Sequence, residues 1–227
     1  MPIIASRQRR PQALPPRGVI LNGLVAYAPF WHPDLSRESS RTKDPNALTL
    51  TNSSSVWTPK GRTFNGSGAK VTLGHNAVID SLSAVTVNCW FNPTTVPGGA
   101  DWRDILNKGW NAEGSYIFYI DKSSAVINQY LFLDGAQRGG GTAVTAAVWA
   151  DMTFTYDGSD MYCYVNGVQK WTVHYVKASW SNTTDLTIGG PSVDMDGTIG
   201  EISIYNRALS LAEVNANHLA TKGRYTG

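Results

Sequence analysis

Beyond residue 21 the chain alternates apolar and polar side chains at period two, and turn residues break the alternation about every 8–12 positions. Period two belongs to a strand, whose successive side chains face opposite sides of a sheet. Strands are predicted at 23–30, 47–52, 62–65, 69–73, 84–92, 103–107, 115–121, 125–134, 148–157, 160–166, 168–176, 184–189 and 196–205. Asp157-Gly158 and Asn166-Gly167 join the three strands between 148 and 176, and both dipeptides tolerate the positive φ of tight hairpins. Consecutive hairpins without an intervening helical period imply antiparallel sheets, and this many strands must stack as a sandwich. The expected class is an all-β antiparallel sandwich. One helix is expected near the end, where Ser210 and Glu213 form a capping box ahead of Leu211, Val214 and Leu219, and Gly223 can close the C-terminus.

The 227 residues include 22 glycines, 10 tyrosines and 8 tryptophans, a composition suited to short strands and tight turns. The length is one that a single sandwich domain spans. No apolar run approaches the ~18 residues of a membrane-crossing helix. The opening MPIIASRQRRPQALPPRG lacks the apolar stretch of a signal peptide. Secretion by the common route is therefore not expected, and the sequons at Asn52, Asn65 and Asn182 read as chance matches. Cys89 follows Val85 and Val87 on one strand face, and Cys163 sits between Met161 and Val165 on another. Both read as free, buried thiols, with a single cross-sheet disulfide as the alternative.

Residues 1–21 are expected to form an extended arm. They hold Arg7, Arg9, Arg10 and Arg17, no acidic residue, and Pro2, Pro11, Pro15 and Pro16, which oppose helix. The chain has 19 basic and 17 acidic residues; without the arm's four arginines the remainder has 15 against 17, or −2. Four arginines with no organised basic face on the domain make a weak nucleic-acid footprint. The arm reads better as a tether across the acidic surface of a protein partner, with the prolines lowering the cost of ordering it.

Six segments, in order, resemble the concanavalin A-like, laminin G-like jelly-roll family. They are GLVAYAPF (23–30), RTFNGSGAKVTL (62–73), AVTVNCWFNP (84–93), DILNKG (104–109), VWADMTFTYDGSDMYCYVNGV (148–168) and DGTIGEISIYNRALSLAEV (196–214). The resemblance implies a jelly roll over 22–227. That fold hosts lectins, glycosidases and structural modules alike, so function must be argued from a site.

Glycoside hydrolysis needs two carboxylates flanking the scissile bond. The E-x-D-x-x-E strand of catalytic relatives is absent: the only glutamates are Glu38, Glu113, Glu201 and Glu213, and the alternating Asp194 and Asp196 flank a turn. Gly66-Ser67-Gly68 belongs to a hairpin rather than a nucleophile elbow. His32, His75, His174 and His218 lack zinc-binding spacing, and Gly139-Gly140-Gly141 reads as a flexible loop. No enzyme is expected. Relatives with this fold bind calcium in a glycine-rich loop after the first strand. Here Asp34, Asp44 and Asn46 remain as ligands but the glycines are missing, so no cofactor is expected. Glycan binding would use Trp102 and Trp110 as platforms, with Asp104 and Asn111 as a polar rim. The alternative is that these tryptophans, like Trp31 and Trp180, cover a core edge or an interface. Trp90 and Trp149, on strands, read as packing.

A jelly roll with a basic arm resembles an accessory protein of a bacteriophage particle. The first expectation is a capsid decoration or tail-surface protein on the virion, assembled in the host cytoplasm. The arm would anchor it to a structural protein such as the major capsid protein, as a homo-oligomer, with the domain facing host-surface glycans. The alternative is a carbohydrate-binding lectin module, in one form calcium-dependent, of a cell-surface or secreted protein. Neither nucleic acid nor membrane is an expected partner.

Overall fold

The strands predicted from period two pair antiparallel throughout. The computed structural model describes residues 15–33, 50–96, 102–121, 124–190 and 195–226. In chain order its elements are β1 (Leu24–Pro29), β2 (Thr51–Ser53), β3 (Val56–Thr58), β4 (Gly61–Asn65), β5 (Lys70–Gly74), a one-turn helix α1 (Ala77–Asp80) and β6 (Ser81–Leu82). There follow β7 (Val85–Pro93), β8 (Arg103–Asn107), β9 (Tyr116–Ile120), β10 (Val126–Leu133), β11 (Ala136–Ala143), β12 (Ala150–Tyr156) and β13 (Asp160–Val165). The last are β14 (Val168–His174), β15 (Trp180–Ser181), β16 (Leu186–Ile188), β17 (Asp196–Tyr205) and α2 (Leu211–Thr221). One sheet has eight strands in the order β14-β13-β12-β7-β17-β4-β3, with β1 also paired to β17. The other has seven, β11-β10-β9-β8-β16-β5-β2, and β15 pairs with β6 in a small ribbon.

The two inner faces make the main core. Val85, Val87, Cys89 and Phe91 of β7 alternate into it beside Met152 and Phe154 of β12 and Met161 and Cys163 of β13. Facing them are Tyr116, Phe118 and Ile120 of β9 and Ile127, Leu131 and Leu133 of β10. Both cysteines are free and buried, as expected of small apolar fillers. Burial pushes the Cys163 thiol up to about 12, so it stays protonated. The Asn166-Gly167 turn has positive φ at both residues, the geometry that its sequence demands.

Two expectations need correction. Gly139-Gly140-Gly141 is no flexible loop but the centre of β11, paired with β10 from Val126 to Leu133. A Cβ at Gly139 would run into the carbonyl oxygen of Gln129, one at Gly140 would meet the Trp171 ring, and one at Gly141 would strike Val126. Close packing, not mobility, explains the triplet. Gly223 does not cap α2, which runs on into a 3-10 turn over Lys222–Arg224. Trp180, in the two-residue β15, covers the core as expected of it, buried against Tyr156 with ring centroids 5.3 Å apart.

A second apolar layer covers the outer face of the eight-stranded sheet. The capping box forms as predicted: Ser210 Oγ accepts from the Glu213 backbone N–H, and Glu213 answers at the Ser210 N–H. Arg207 grips the same carboxylate with two bonds of 2.9 and 2.6 Å, holding its pKa at about 2. The helix so fixed presses Val214 onto Tyr205, Leu209 and Tyr27. The end of the N-terminal arm joins this layer, for Ile20 donates its N–H to Asn217 at 2.8 Å and its carbonyl accepts from Tyr205 Oη. Of the arm, only residues 15–21 lie within the described part, and Val19 and Ile20 of these pack on the domain while Arg17 is exposed. Arg7, Arg9 and Arg10 lie outside the described residues.

Glu201 sits at the centre of this layer, fully buried. Its Oε2 accepts from Tyr27 Oη (3.1 Å), Trp31 Nε1 (3.0 Å) and Tyr225 Oη (3.2 Å). Burial raises its pKa, and the donors together with Arg224 pull back only part of that rise. A carboxyl with a raised folded pKa contributes stability that is complete below its unfolded pKa and is lost as pH climbs through the folded value. Glu201→Gln should therefore flatten the fall in melting temperature on raising pH from the ordinary carboxylate range towards neutrality. Thermal unfolding of both proteins across that range measures it, and identical slopes would refute the assignment.

Candidate functional site

Among the described residues no helix covers the outer face of the seven-stranded sheet, which carries a cluster of aromatic rings. On β9 the core takes Tyr116, Phe118 and Ile120, which leaves Ile117 and Tyr119 on the outside. Register then sets their neighbours: Asp104 of β8 stands opposite Tyr119, Asn107 opposite Ile117, Tyr130 of β10 beyond Ile117, and Gly139 of β11 beyond Tyr130. Trp102, before β8, and Trp110, after it, close over this row. Their ring centroids are 5.8 Å apart, and Trp110 lies 5.7 Å from Tyr119 and 6.5 Å from Tyr130, both edge-on. Tyr119 and Tyr130 meet edge to face at 5.8 Å, the favoured geometry for aromatic pairs.

A recess of about 150 Å³ opens beside these rings, lined by Tyr119, Asn128, Tyr130 and Gln137 with Gly139 and Gly140 as its floor. A Cβ at Gly139 would press on Tyr130 at the edge of this recess, so glycine there keeps that edge open. Gln137 Nε2 reaches Asn111 Oδ1 at 3.3 Å, which ties the recess to the Trp110 loop. Trp110 is 40% exposed, so part of its ring is open beside the recess.

The loop over residues 109–115 is clamped from several sides. Asn182 Nδ2 donates to the carbonyls of Lys108 (3.2 Å) and Glu113 (3.1 Å) and to Ser115 Oγ (3.3 Å). That amide nitrogen is buried and fully engaged, a physical reason for reading the Asn182 sequon as accidental. Gly114 N–H donates to Phe132, and Glu113 accepts from the Asp134 N–H at 2.8 Å. Lys177 joins Glu113 (2.8 Å) to Asp134, and Tyr175 Oη donates to Asp134 at 2.6 Å. Lys177's pKa is raised, first by its bond to Asp134. The platform is thus held in place before any ligand arrives.

Beneath the rings, Asp104 is fully buried rather than at a rim, and its Oδ2 accepts from Asn107 Nδ2 at 2.9 Å. Asn107 Oδ1 and Tyr130 Oη are buried without a hydrogen-bond partner. Burial, then Asp121 and Asp104, raises the Tyr119 pKa; burial, Tyr119 and Asp104 do the same for Tyr130. Both phenols are O–H donors at neutral pH. The structure brings Trp102, Trp110, Asp104 and Asn111 to one place, whereas Tyr119, Tyr130, Gln137 and the glycine floor were missed. One signal was available: YIFYI is apolar on both faces, which a strand with one solvated face would not be. Asp34, Asp44, Asn46 and Asp194 lie outside the described residues, and among the described residues no group of three or more His, Cys, Asp or Glu could hold a metal ion.

The sequence from 65 to 215 matches the family model described as the concanavalin A-like lectin/glucanases superfamily. The chain belongs to that superfamily. Comparison with curated proteins returns no match. Among solved structures, domain 4 of AbnA, a GH43 extracellular arabinanase from Geobacillus stearothermophilus in complex with arabinotriose, is similar at TM-score 0.65 and 16% identity, covering 86% of this chain and 98% of that one. Trypanosoma rangeli sialidase in complex with sialic acid is similar at 0.68 and 16%, covering 90% of this chain and 34% of the sialidase. The ligand binding domain of botulinum neurotoxin serotype D in complex with N-acetylneuraminic acid gives 0.66 and 13%, covering 88% and 51%. This concanavalin A-like chain spans about half the length of the neurotoxin chains that it matches. At these identities the likeness is one of fold.

Proposed function

We propose that this concanavalin A-like chain is a carbohydrate-binding module whose ligand lies on the outer face of the seven-stranded sheet. One observation carries the reading: a partly exposed tryptophan beside a recess lined by Tyr119, Asn128, Tyr130, Gln137 and two glycines. A sugar ring offers an apolar face to stack on aromatics and hydroxyls for the polar atoms, and few other ligands need both so close together. The arabinanase domain, the sialidase and the neurotoxin domain were solved with saccharides, which lends support by analogy of fold. A non-catalytic role fits the recess, whose lining holds no pair of carboxylates.

Trp110→Ala should weaken glycan binding by about 1–2 kcal/mol, roughly fivefold to thirtyfold, with no change in the melting temperature. Titration calorimetry of wild type and variant against a saccharide found by array screening reads the difference. An unchanged affinity would remove the site.

The reading of a virion-surface protein rests on the composition of the arm, four arginines and four prolines without an acid in residues 1–18. It is compatible with a glycan-binding domain, since the arm would be the attachment and the sheet face the reader. Deleting residues 1–14 should then abolish incorporation into a particle and spare glycan binding.

A further inference from the structure

A second recess, of about 410 Å³, lies on the outer face of the eight-stranded sheet, where the start of α2 stands against β12, β13 and β14. On β12 and β13 the core takes Phe154, Tyr156, Met161 and Cys163, which turns Thr155, Tyr162 and Tyr164 outward. Register sets Tyr162 opposite Thr155, and Gln169 of β14 opposite Tyr164. Leu211, 47% exposed, lines the recess from the first turn of α2. Asp157 lines it from the β12–β13 turn, with its Oδ1 held by the backbone N–H groups of Ser159 (2.8 Å) and Asp160 (2.7 Å). Thr155 is fully buried, and its hydroxyl lies beside the Tyr164 phenol without reaching hydrogen-bond geometry with it. An enclosed hydroxyl in that state calls for a polar atom from outside the chain.

From this arrangement we infer a second saccharide site, on the opposite sheet from the first and sharing no lining residue with it. It extends the carbohydrate-binding reading above but stands on separate residues. A sugar hydroxyl both gives and takes a hydrogen bond, so one such group can bridge Thr155 and Tyr164. The half-buried Tyr162 ring and Leu211 offer apolar surface to the C–H face of the same sugar. An extended peptide fits less well. β12 pairs with β7 and β13, and β13 pairs with β12 and β14, so neither has a backbone edge for another strand to join. The walls are set in advance by the Asp157 turn and by the capping box that fixes the start of α2. The chain would then hold two saccharide segments at once, one against each sheet.

The test is a glycan array probed with the wild type, Trp110→Ala, Tyr162→Ala and the double variant, followed by calorimetry of the saccharides that bind. The expected result is two sites per chain, one of which Trp110→Ala leaves in place and Tyr162→Ala weakens at least about tenfold. Thr155→Val probes the same site with less change of shape. Because that hydroxyl has no bond within the protein, the melting temperature should hold while the affinity of this site falls about twofold to tenfold. A lower melting temperature with unchanged affinity would make Thr155 structural and overturn the second site. One site per chain, lost in Trp110→Ala, would also overturn it and leave the first site standing. Binding untouched by Trp110→Ala and lost in Tyr162→Ala would support the second site and overturn the first. No binding to any glycan, or binding that survives the double variant, would overturn both.

Discussion

Lys108→Met is expected to destabilise the fold by about 3–5 kcal/mol. The ammonium of Lys108 has no solvent exposure, and it donates to Asp80 Oδ1 at 2.5 Å and to the Thr184 carbonyl at 2.8 Å. Burial lowers its pKa, and the bond to Asp80 opposes that fall without cancelling it. Methionine fills much the same volume but leaves Asp80 as a buried carboxylate without its cation. His75, the other partner of Asp80 at 3.2 Å, is more than half exposed and cannot substitute for a buried ammonium. A loss of this size is a large fraction of the ~5–15 kcal/mol of a typical domain. It should appear as a drop in denaturation midpoint at constant slope. Adding Asp80→Asn removes the stranded charge, so the double variant should recover part of the loss. Equal stability of the single variant and the wild type would show that the pair contributes nothing net.

Trp90→Ala should cost a similar ~3–5 kcal/mol through a different mechanism, the cavity left by a large buried ring. Trp90 is completely buried on the outer face of the eight-stranded sheet. Its ring stacks on Tyr225 at 4.5 Å and on His218 at 5.6 Å, and its Nε1 donates to Thr221 Oγ1 at 2.8 Å. Gly200 leaves the space that Tyr225 fills, since any Cβ there would press into the Tyr225 ring. Removing the indole takes away the surface against which the end of α2 is seated. Amide hydrogen exchange should then rise first in residues 211–225, ahead of the main core. Trp90→Phe keeps most of the ring area and loses only the hydrogen bond, so it should cost ~1–2 kcal/mol. Uniform loss of protection across both sheets in Trp90→Ala would contradict a separate outer layer.

Two strands that are buried over most of their length were legible because turn residues bound them. β8 and β17 occupy the positions that period two predicts, 103–107 and 196–205. β11 was not legible, because three glycines carry no side-chain pattern, and β3 is only three residues long. The site was half legible. Trp102, Trp110 and Asn111 stand out as aromatic and amide residues near strand ends, and the structure gathers them. Tyr119 and Tyr130 did not stand out, because choosing between their two faces requires the register of β8, β9 and β10, which comes from long-range pairing. Asp104 looked like a rim residue because its neighbours in sequence are polar. It is buried because the rings of Trp102 and Trp110, on either side of it, converge in space.

Val19, Ile20, Tyr225 and the end of α2 all gather on the outer face of the eight-stranded sheet, the side away from the recess. On the carbohydrate-binding proposal, a partner held at that layer would leave the tryptophan platform pointing outward. Copies mounted in a row would present their recesses in one direction. Weak single contacts with a repeating polysaccharide would then add up through effective concentration rather than through a larger pocket.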